Sequence, residues 1–187
     1  MSRSRLRSMI LGRKLTRRRV VFLIAGVFLT VMLAWSLASF AKSVPTRIYL
    51  VPSNSMAPTI KSGDRIGVQA RAVPRPERGE IWVFLMPTTT GAPTTTIIKR
   101  VIGLPGETIE VRGGKVRIDD KALAEPYLSA PMTYTMSPVK LGADEFFMLG
   151  DSRDASQDSH IWGPLPRNHL IGPVTLRYWP LSRAGGF

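Results

Sequence analysis

The stretch IIKRVIGLPGETIEVRGGKVRI, residues 97–118, sets the fold class of the chain. It contains three runs rich in β-branched and apolar residues, and glycine or proline separates each run from the next. Gly113-Gly114 lies between the second and the third run, where a two-residue hairpin turn is expected. Short β runs joined by such turns predict antiparallel strands.

The same pattern continues on both sides of this stretch and predicts a mainly β domain over residues 42–187. The fifteen prolines and sixteen glycines of the chain disfavour long helices there. A small inserted lobe is expected between Asp119 and Gly142, and residues 87–96 are expected to form a polar loop. The predicted strands are Arg47–Val51, Arg65–Ala70, Ile81–Met86, Thr95–Ile102, Thr108–Arg112, Lys115–Asp119, Glu145–Leu149 and Val174–Trp179.

Residues 20–41 form an uncharged apolar segment of 22 residues. As a helix it spans roughly 33 Å, about the thickness of the hydrocarbon core of a bilayer. Eight of the nineteen residues before it are Lys or Arg. The positive-inside rule therefore predicts a basic cytoplasmic tail over 1–19, a transmembrane helix over 20–41 and an extracytoplasmic domain over 42–187. A cleavable signal peptide is the alternative, because Ser39 and Ala41 have the small side chains that such cleavage needs.

The net charge of +13 is concentrated in the first nineteen residues, since residues 20–187 carry 18 basic and 13 acidic side chains. This distribution favours contact with anionic lipid over nucleic-acid binding, which needs basic side chains spread over a folded face. The chain has no cysteine, and its two histidines are His160 and His169. Disulfides and a cysteine nucleophile are therefore excluded, and neither a metal site nor a cofactor is expected.

Two segments carry groups suited to covalent catalysis. PSNSMAPT, residues 52–59, holds two serines between prolines that restrict the backbone, which suits a fixed nucleophile as well as an ordinary turn. Lys99 interrupts an apolar β run and is either buried or a guard against edge-to-edge aggregation. Burial lowers the pKa of a lysine, and a general base at neutral pH needs a pKa of about 7 to 8. In a regular strand the Arg100 side chain points to the opposite face.

A third segment, GDSRDASQDSHIWG, residues 150–163, combines three acids with Arg153 between two glycines. Its composition predicts a hydrogen-bonded and ion-paired loop. A solvated turn and a cation-binding loop are the alternatives, although the spacing does not fit an EF-hand. A Ser-His-Asp triad would need His160 or His169 as its base.

Taken in order, PSNSMAPT, RGEIWVF (78–84), IKRVIGLPGETIEV (98–111) and GDSRDASQDSHIWG resemble the motifs of the type I signal peptidases. The resemblance covers the apolar segment and most of residues 48–180. It implies a signal-peptidase-type β catalytic domain behind one N-terminal transmembrane helix. It also implies cleavage of signal peptides from exported precursor proteins after small residues, as in Ala-x-Ala, by a Ser–Lys dyad.

The resemblance assigns a role to each candidate site residue. It implies that Ser55 is the nucleophile and that Lys99 is the general base. The remaining expected roles are the oxyanion hole, formed by Ser53 and Ser55; the residues that orient or support the lysine, which are Ser156, Asp158, Arg153 and Asp151; and the substrate pocket, with Ile98 and Met56.

Three positions depart from the commonest family pattern: Ser152 replaces asparagine, His160 replaces arginine and Ile161 replaces an aromatic residue. The His160 form resembles the cyanobacterial and thylakoid branch, so a thylakoid membrane is the alternative to the plasma membrane as location. A pilin-processing or conjugation-type peptidase with the same dyad and a non-enzymatic anchored β domain are the alternatives in function. The expected partners are signal peptides of exported preproteins and the lipid bilayer, without nucleic acid, while the oligomeric state stays open.

Overall fold

The computed structural model describes residues 17–43, 47–70, 75–87 and 95–187. The chain divides into two compact units, Met1–Val44 and Pro45–Phe187. Most of the expected basic tail, and residues 88–94 of the expected polar loop, lie outside the described residues.

The described residues of the first unit form one α-helix, α1, which covers Arg17–Ser43 and includes the apolar segment 20–41. Within Arg17–Ser39 a window of 18 residues has a mean hydropathy of 2.5, and none of that window is buried. The helix is therefore long and apolar enough to cross a membrane, judged by length and composition. It begins before the apolar segment because arginine is a good helix former and continues the backbone hydrogen bonding.

The second unit is an antiparallel β structure, as predicted. Among the described residues, one sheet has the strand order β1-β2-β11-β3-β4-β9-β10 with β12 beside β11, and a smaller sheet has the order β7-β6-β5-β8. The strands are β1 (Arg47–Leu50), β2 (Arg65–Val68), β3 (Ile81–Leu85), β4 (Thr96–Gly103), β5 (Thr108–Arg112), β6 (Lys115–Ile118), β7 (Lys121–Ala122), β8 (Met136–Lys140), β9 (Glu145–Leu149), β10 (Leu165–Pro166), β11 (Leu170–Trp179) and β12 (Gly185–Gly186).

The predicted strands are all present. The largest difference is at β11, which begins at Leu170 and not at Val174, because its first residues pair with β3. The hairpin turn is confirmed as well: Arg112 pairs with Lys115, and the φ angles of Gly113 and Gly114 are 62° and 72°. Positive φ at both central residues is what a two-residue turn of type I′ requires, so glycine suits both positions.

The lobe is larger than the sequence predicts. It does not begin after Asp119, because β5 and β6 are part of its sheet and β5 pairs with β8. Ile109 and Val111 of β5 are buried in a cluster that also contains Met132 from the segment between β7 and β8. The lobe therefore starts at Thr108. The cluster that holds it together also contains Ile102 of β4 and Phe147 of β9, so it joins the lobe to the large sheet. A short helix, α2, covers Ser159–Trp162 at the end of the third motif.

Strand β3 is buried on both faces and holds β4 in place. Its alternate residues Ile81 and Val83 pack into one cluster, whereas Trp82 and Phe84 pack into another. Each fully buried side chain of this kind stabilises the fold by about 1.5–3 kcal/mol. Because β4 pairs with β3 from Thr96 to Arg100, the backbone that carries the candidate base is fixed along its length.

Candidate active site

Ser55 and Lys99 lie within hydrogen-bond distance of each other. The Lys99 Nζ and Ser55 Oγ atoms are 2.7 Å apart. Lys99 lies on β4 and is only 4% exposed, and Ser55 lies in the turn that follows β1. The fold therefore brings together the expected nucleophile and base, which are 44 residues apart in the sequence.

Burial lowers the pKa of the Lys99 amine below its ordinary value, while the nearby Asp158 and Asp151 carboxylates act in the opposite direction. A charged amine loses more solvation than a neutral one when it is removed from water. The neutral amine is the form that can accept a proton. Removal from solvent thus favours the form of Lys99 that a general base requires.

The turn that carries Ser55 is held by its own backbone and by neighbouring side chains. The Ile60 N–H donates to the Met56 carbonyl, and the Ser62 N–H donates to the Asn54 side-chain oxygen, both at 2.9 Å. Met56, next to the nucleophile, is fully buried in the cluster that contains Ile60. This buried side chain anchors the turn and limits the movement of Ser55.

Gly150, the first residue of the third motif, passes directly against the nucleophile. A Cβ atom at this position would lie 2.5 Å from the Ser55 carbonyl oxygen and 2.2 Å from Ser156 Oγ. The Ser152 N–H donates to the same Ser55 carbonyl at 3.1 Å. Glycine is therefore required here by the close approach of two backbone segments.

Ser53 and Ser156 differ in their surroundings. Ser53 Oγ lies 3.4 Å from Ser55 Oγ, on the same side of the turn as the nucleophile. Ser156 Oγ is buried and, within the described part of the chain, has no hydrogen-bond partner. The expected hydrogen bond from Ser156 to Lys99 is therefore not formed in this structure, although the hydroxyl lies beside Gly150.

Asp158 supports the third motif from inside. Its Oδ2 accepts from the Gly150 N–H at 2.9 Å, and its Oδ1 caps α2 by accepting from the His160 N–H at 3.2 Å. The same Oδ1 is 2.6 Å from His160 Nδ1. Since Asp158 is fully buried, these contacts fix the backbone at Gly150, which lies against the Ser55 carbonyl.

Asp151 and Arg153 are both buried, and each is part of an ion pair. Arg100 Nε and Nη2 donate to the two Asp151 carboxylate oxygens at 2.8 and 2.6 Å, and Thr59 Oγ1 donates to Asp151 Oδ2 at 2.6 Å. Arg153 pairs through both terminal nitrogens with Glu125 of the lobe.

The two histidines make other contacts. His160 stacks on the Tyr134 ring, with 4.4 Å between the centroids, and bonds to Asp158. His169 Nδ1 lies 3.0 Å from the Leu85 carbonyl oxygen. In the described ranges, neither histidine forms a hydrogen bond with Ser55, so the geometry favours lysine over histidine as the base.

A cleft of about 90 Å³ opens beside the dyad. Its walls come from residues 49–53 and from Thr96–Lys99, with Ser55 and Lys99 at one side. The β4 wall is paired with β3 on one edge only, because its pairing with β9 begins at Arg100. A larger open depression of about 570 Å³ lies on the lobe, and neither dyad residue lines it.

Residues 24–179 match the family described as signal peptidase, peptidase S26. The chain belongs to this family. It is 39% identical over 168 residues to signal peptidase I of Leptolyngbya laminosa, which covers 87% of this chain and 81% of that protein. It is 42% identical over 139 residues to probable signal peptidase I-2 of Synechocystis sp., with 72% and 64% covered. Thylakoidal processing peptidase 1 of Arabidopsis thaliana is 35% identical over 142 residues, with 71% and 42% covered.

The resemblance to type I signal peptidases that the four motifs indicate is confirmed, and with it the expectation of a serine peptidase. One expected lining residue of this signal peptidase is wrong in position. Ile98 lines the cleft, but Met56 is fully buried and does not contribute to the walls. The sequence does not show the direction of this side chain, because an apolar residue suits both a cleft wall and the interior.

Three further residues contact the expected supporting residues or one another, and the sequence gives little sign of them. Arg100 pairs with Asp151, Glu125 pairs with Arg153, and Tyr127 lies against Arg100. The only signal for Arg100 is its position next to Lys99. Glu125 and Tyr127 are in the lobe, and their partners are 27 or 28 residues away, so no local pattern connects them.

Proposed function

We propose that this chain is a membrane-bound endopeptidase that removes N-terminal signal peptides from exported precursor proteins, cutting after small residues. The observation that carries the proposal is the 2.7 Å separation of Ser55 Oγ from the buried Lys99 Nζ. A serine hydroxyl is a weak nucleophile unless a neighbouring base takes its proton. The membership in the signal peptidase family supports the same reaction.

The reaction begins when neutral Lys99 accepts the proton of Ser55 as Oγ attacks the scissile carbonyl carbon. The oxyanion that forms accepts hydrogen bonds from the Ser55 N–H and from the Ser53 hydroxyl. Loss of one such donor typically lowers the rate by about 10²–10³-fold. Lys99 then donates its proton to the leaving amine and activates the water that releases the acyl group.

The substrate lies as an extended peptide in the cleft. The unpaired edge of Thr96–Lys99 offers backbone groups that can pair with such a peptide. A volume of about 90 Å³ corresponds to roughly three waters of liquid, which suits alanine better than a large side chain. Ile98 on the wall excludes bulkier residues next to the scissile bond.

The remaining expected residues support the dyad. Asp158, Asp151 and Arg153 hold the strip that begins at Gly150, and this strip fixes the Ser55 backbone. Ser156 orients Lys99, and its buried hydroxyl without a partner is free to bond the amine once Ser55 Oγ is acylated. This role stays a prediction.

The apolar helix suggests membrane association, and we infer a finer arrangement. The N-terminus is cytoplasmic, the helix spans the plasma membrane and the β domain lies outside the cytoplasm. The β domain also touches lipid through an apolar patch, which consists of Leu50, Trp179 and Leu181. These side chains are 64%, 49% and 74% exposed, and Leu50 and Trp179 flank Arg65 on adjacent strands. A mature chain that begins at Lys42 would contradict the uncleaved anchor, and fractionation to a thylakoid membrane would contradict the location.

The decisive experiment is cleavage of an exported precursor by the purified full-length chain. Wild type is expected to release the signal peptide, whereas Ser55→Ala and Lys99→Ala are expected to be inactive but folded. A double variant, His160→Gln with His169→Gln, is the control and is expected to keep substantial activity. Activity in Lys99→Ala, or its loss in a folded double histidine variant, would contradict the dyad.

A further inference from the structure

The lobe provides a partner for each of two arginines beside the dyad. The guanidinium carbon of Arg100 lies 3.9 Å from the centroid of the Tyr127 ring. Glu125 forms a buried ion pair with Arg153, with side chains 5% and 2% exposed. The Tyr127 hydroxyl donates to Glu125 Oε1 at 2.7 Å, so the two lobe residues are joined to each other.

Arg100 is enclosed on its edges and on one face. In its plane it donates to both Asp151 oxygens and, through Nη1, to the Gly79 carbonyl at 2.7 Å. The Tyr127 ring covers a face of the same guanidinium, which is the geometry of a cation–π contact. The hydrogen bonds limit movement of the Arg100 guanidinium within its plane, and the Tyr127 ring limits its movement perpendicular to that plane.

Arg153 links the lobe to the backbone beside the nucleophile. Its Nε donates to the Gly150 carbonyl at 3.1 Å, while its two terminal nitrogens bind Glu125. Gly150 in turn lies against the Ser55 carbonyl, and the next residue, Asp151, is the partner of Arg100. Both arginines therefore hold the same two-residue strip, and both depend on the lobe.

We propose that Glu125 and Tyr127 are positioning residues of the dyad, acting through Arg153 and Arg100 on Gly150-Asp151. The inference rests on the proposed function, because it assigns the lobe a part in the same reaction. Neither side chain lines the cleft, which is formed by other residues. Their effect is therefore on the chemical step and not on substrate binding.

The positioning of Arg100 by Tyr127 also affects the charges that act on Lys99. Asp151 and Asp158 are the carboxylates whose charges raise the pKa of Lys99 against the effect of burial. Arg100 offsets the charge of Asp151 through two short hydrogen bonds. If Arg100 loses the ring that covers it and moves, Asp151 is offset less, and Lys99 keeps its proton to a higher pH.

The test compares Tyr127→Leu and Tyr127→Phe with the full-length wild type on a signal-peptide substrate. Tyr127→Leu is expected to lower kcat by about 10- to 100-fold through misplacement of the reacting groups, with KM unchanged. The acid limb of its kcat/KM profile is expected to move to higher pH. Tyr127→Phe keeps the ring over Arg100 and is expected to lose less. Tyr178→Leu, the same change on β11, is the matched control.

Unchanged kcat in folded Tyr127→Leu would overturn the proposal. So would a loss of kcat that scales with the folded fraction and leaves the pH profile as in wild type, because that is a purely structural effect. If Tyr127→Leu does not fold, Glu125→Gln keeps the side-chain shape, and normal kcat in that variant would overturn the proposal. Wild type without cleavage would instead contradict the proposed function, so the two failures are distinguishable.

Discussion

At the residue scale, Lys99 combines reactivity with a cost in stability. Burial lowers the pKa of Lys99 in the folded chain below its value in the unfolded chain. At a pH between these two values, the unfolded chain therefore holds more protons than the folded chain. The free energy of unfolding therefore rises with pH through this window, and the penalty is complete below the lowered pKa. The burial that lowers the pKa of Lys99 thus opposes folding at neutral and acidic pH.

We expect Lys99→Met to raise the melting temperature of the full-length chain in detergent. Each kcal/mol gained corresponds to roughly 2–4 °C for a protein of this size. The difference from wild type is expected to be largest at low pH and to shrink as the pH approaches the unfolded value, 10.5. Lys121→Met, at an exposed position, is the control. A melting difference that does not depend on pH would contradict the burial of a charged amine.

Gly150 gives a second prediction at this scale. In Gly150→Ala the new methyl group meets the Ser55 carbonyl oxygen at 2.5 Å and Ser156 Oγ at 2.2 Å, so the backbone must separate. We expect kcat/KM to fall by about 10²-fold, because a shift of about 1 Å at reacting groups has effects of that size. Gly185→Ala is the control, since a Cβ there meets no atom within 4 Å. Similar activity of the two variants would contradict the close approach.

At the scale of elements, the sequence predicts strands better than it predicts their partners. The runs of β3, β4, β5 and β6 contain several β-branched residues, and the run of β9 is aromatic and apolar. Each run ends at a turn, so each strand is visible locally. In contrast β8, with the sequence MSPVK, contains a proline and polar residues, and its pairing with β5 depends on a contact far away in the chain. The sequence therefore does not show the full extent of the lobe.

The candidate site follows the same rule. Ser55 and Lys99 lie in motifs whose order and spacing are recognisable, so the approach of these two side chains could be predicted from the sequence. Asp151 pairs with Arg100, 51 positions away, and Glu125 pairs with Arg153, 28 positions away. From the sequence, each of these two acids could pair with any of several basic residues. Charge alone does not specify a partner, because the pairing is decided by which elements the fold brings together.

Ile98 lies on the part of β4 that lines the cleft, so a substitution of this residue tests how the wall selects the substrate. Ile98→Ala removes apolar volume from the wall, so the variant is expected to accept leucine in place of alanine before the scissile bond. The ratio of kcat/KM for leucine to that for alanine is expected to rise by about tenfold, the range that small changes in an apolar pocket produce. Ile118→Ala in the lobe is the control, and an equal ratio in both variants would contradict the assignment of the wall.

At the scale of the whole molecule, the proposed membrane location suggests two features that could hold the chain at a lipid surface. The tail of residues 1–19 carries eight basic side chains, and the β domain exposes the apolar patch of Leu50, Trp179 and Leu181. Basic residues attract an anionic membrane surface, and exposed apolar side chains gain free energy when they enter it. In the proposed function these two features act on localisation, whereas Ser55 and Lys99 act on the chemical step.

The effect of the patch on activity can therefore be measured separately from the effect of the dyad, by comparing a substrate in a membrane with a soluble one. We expect Trp179→Ser with Leu181→Ser to lower kcat/KM several-fold for a full-length precursor in anionic vesicles, because the β domain is no longer held at the surface. A short soluble peptide should be cleaved as by wild type, because neither side chain lines the cleft. Ile161→Ser, which is 62% exposed outside the patch, is the control. An equal loss on both substrates would mean that the changes disturb the catalytic domain, and an equal rate on vesicles would mean that the patch does not meet lipid.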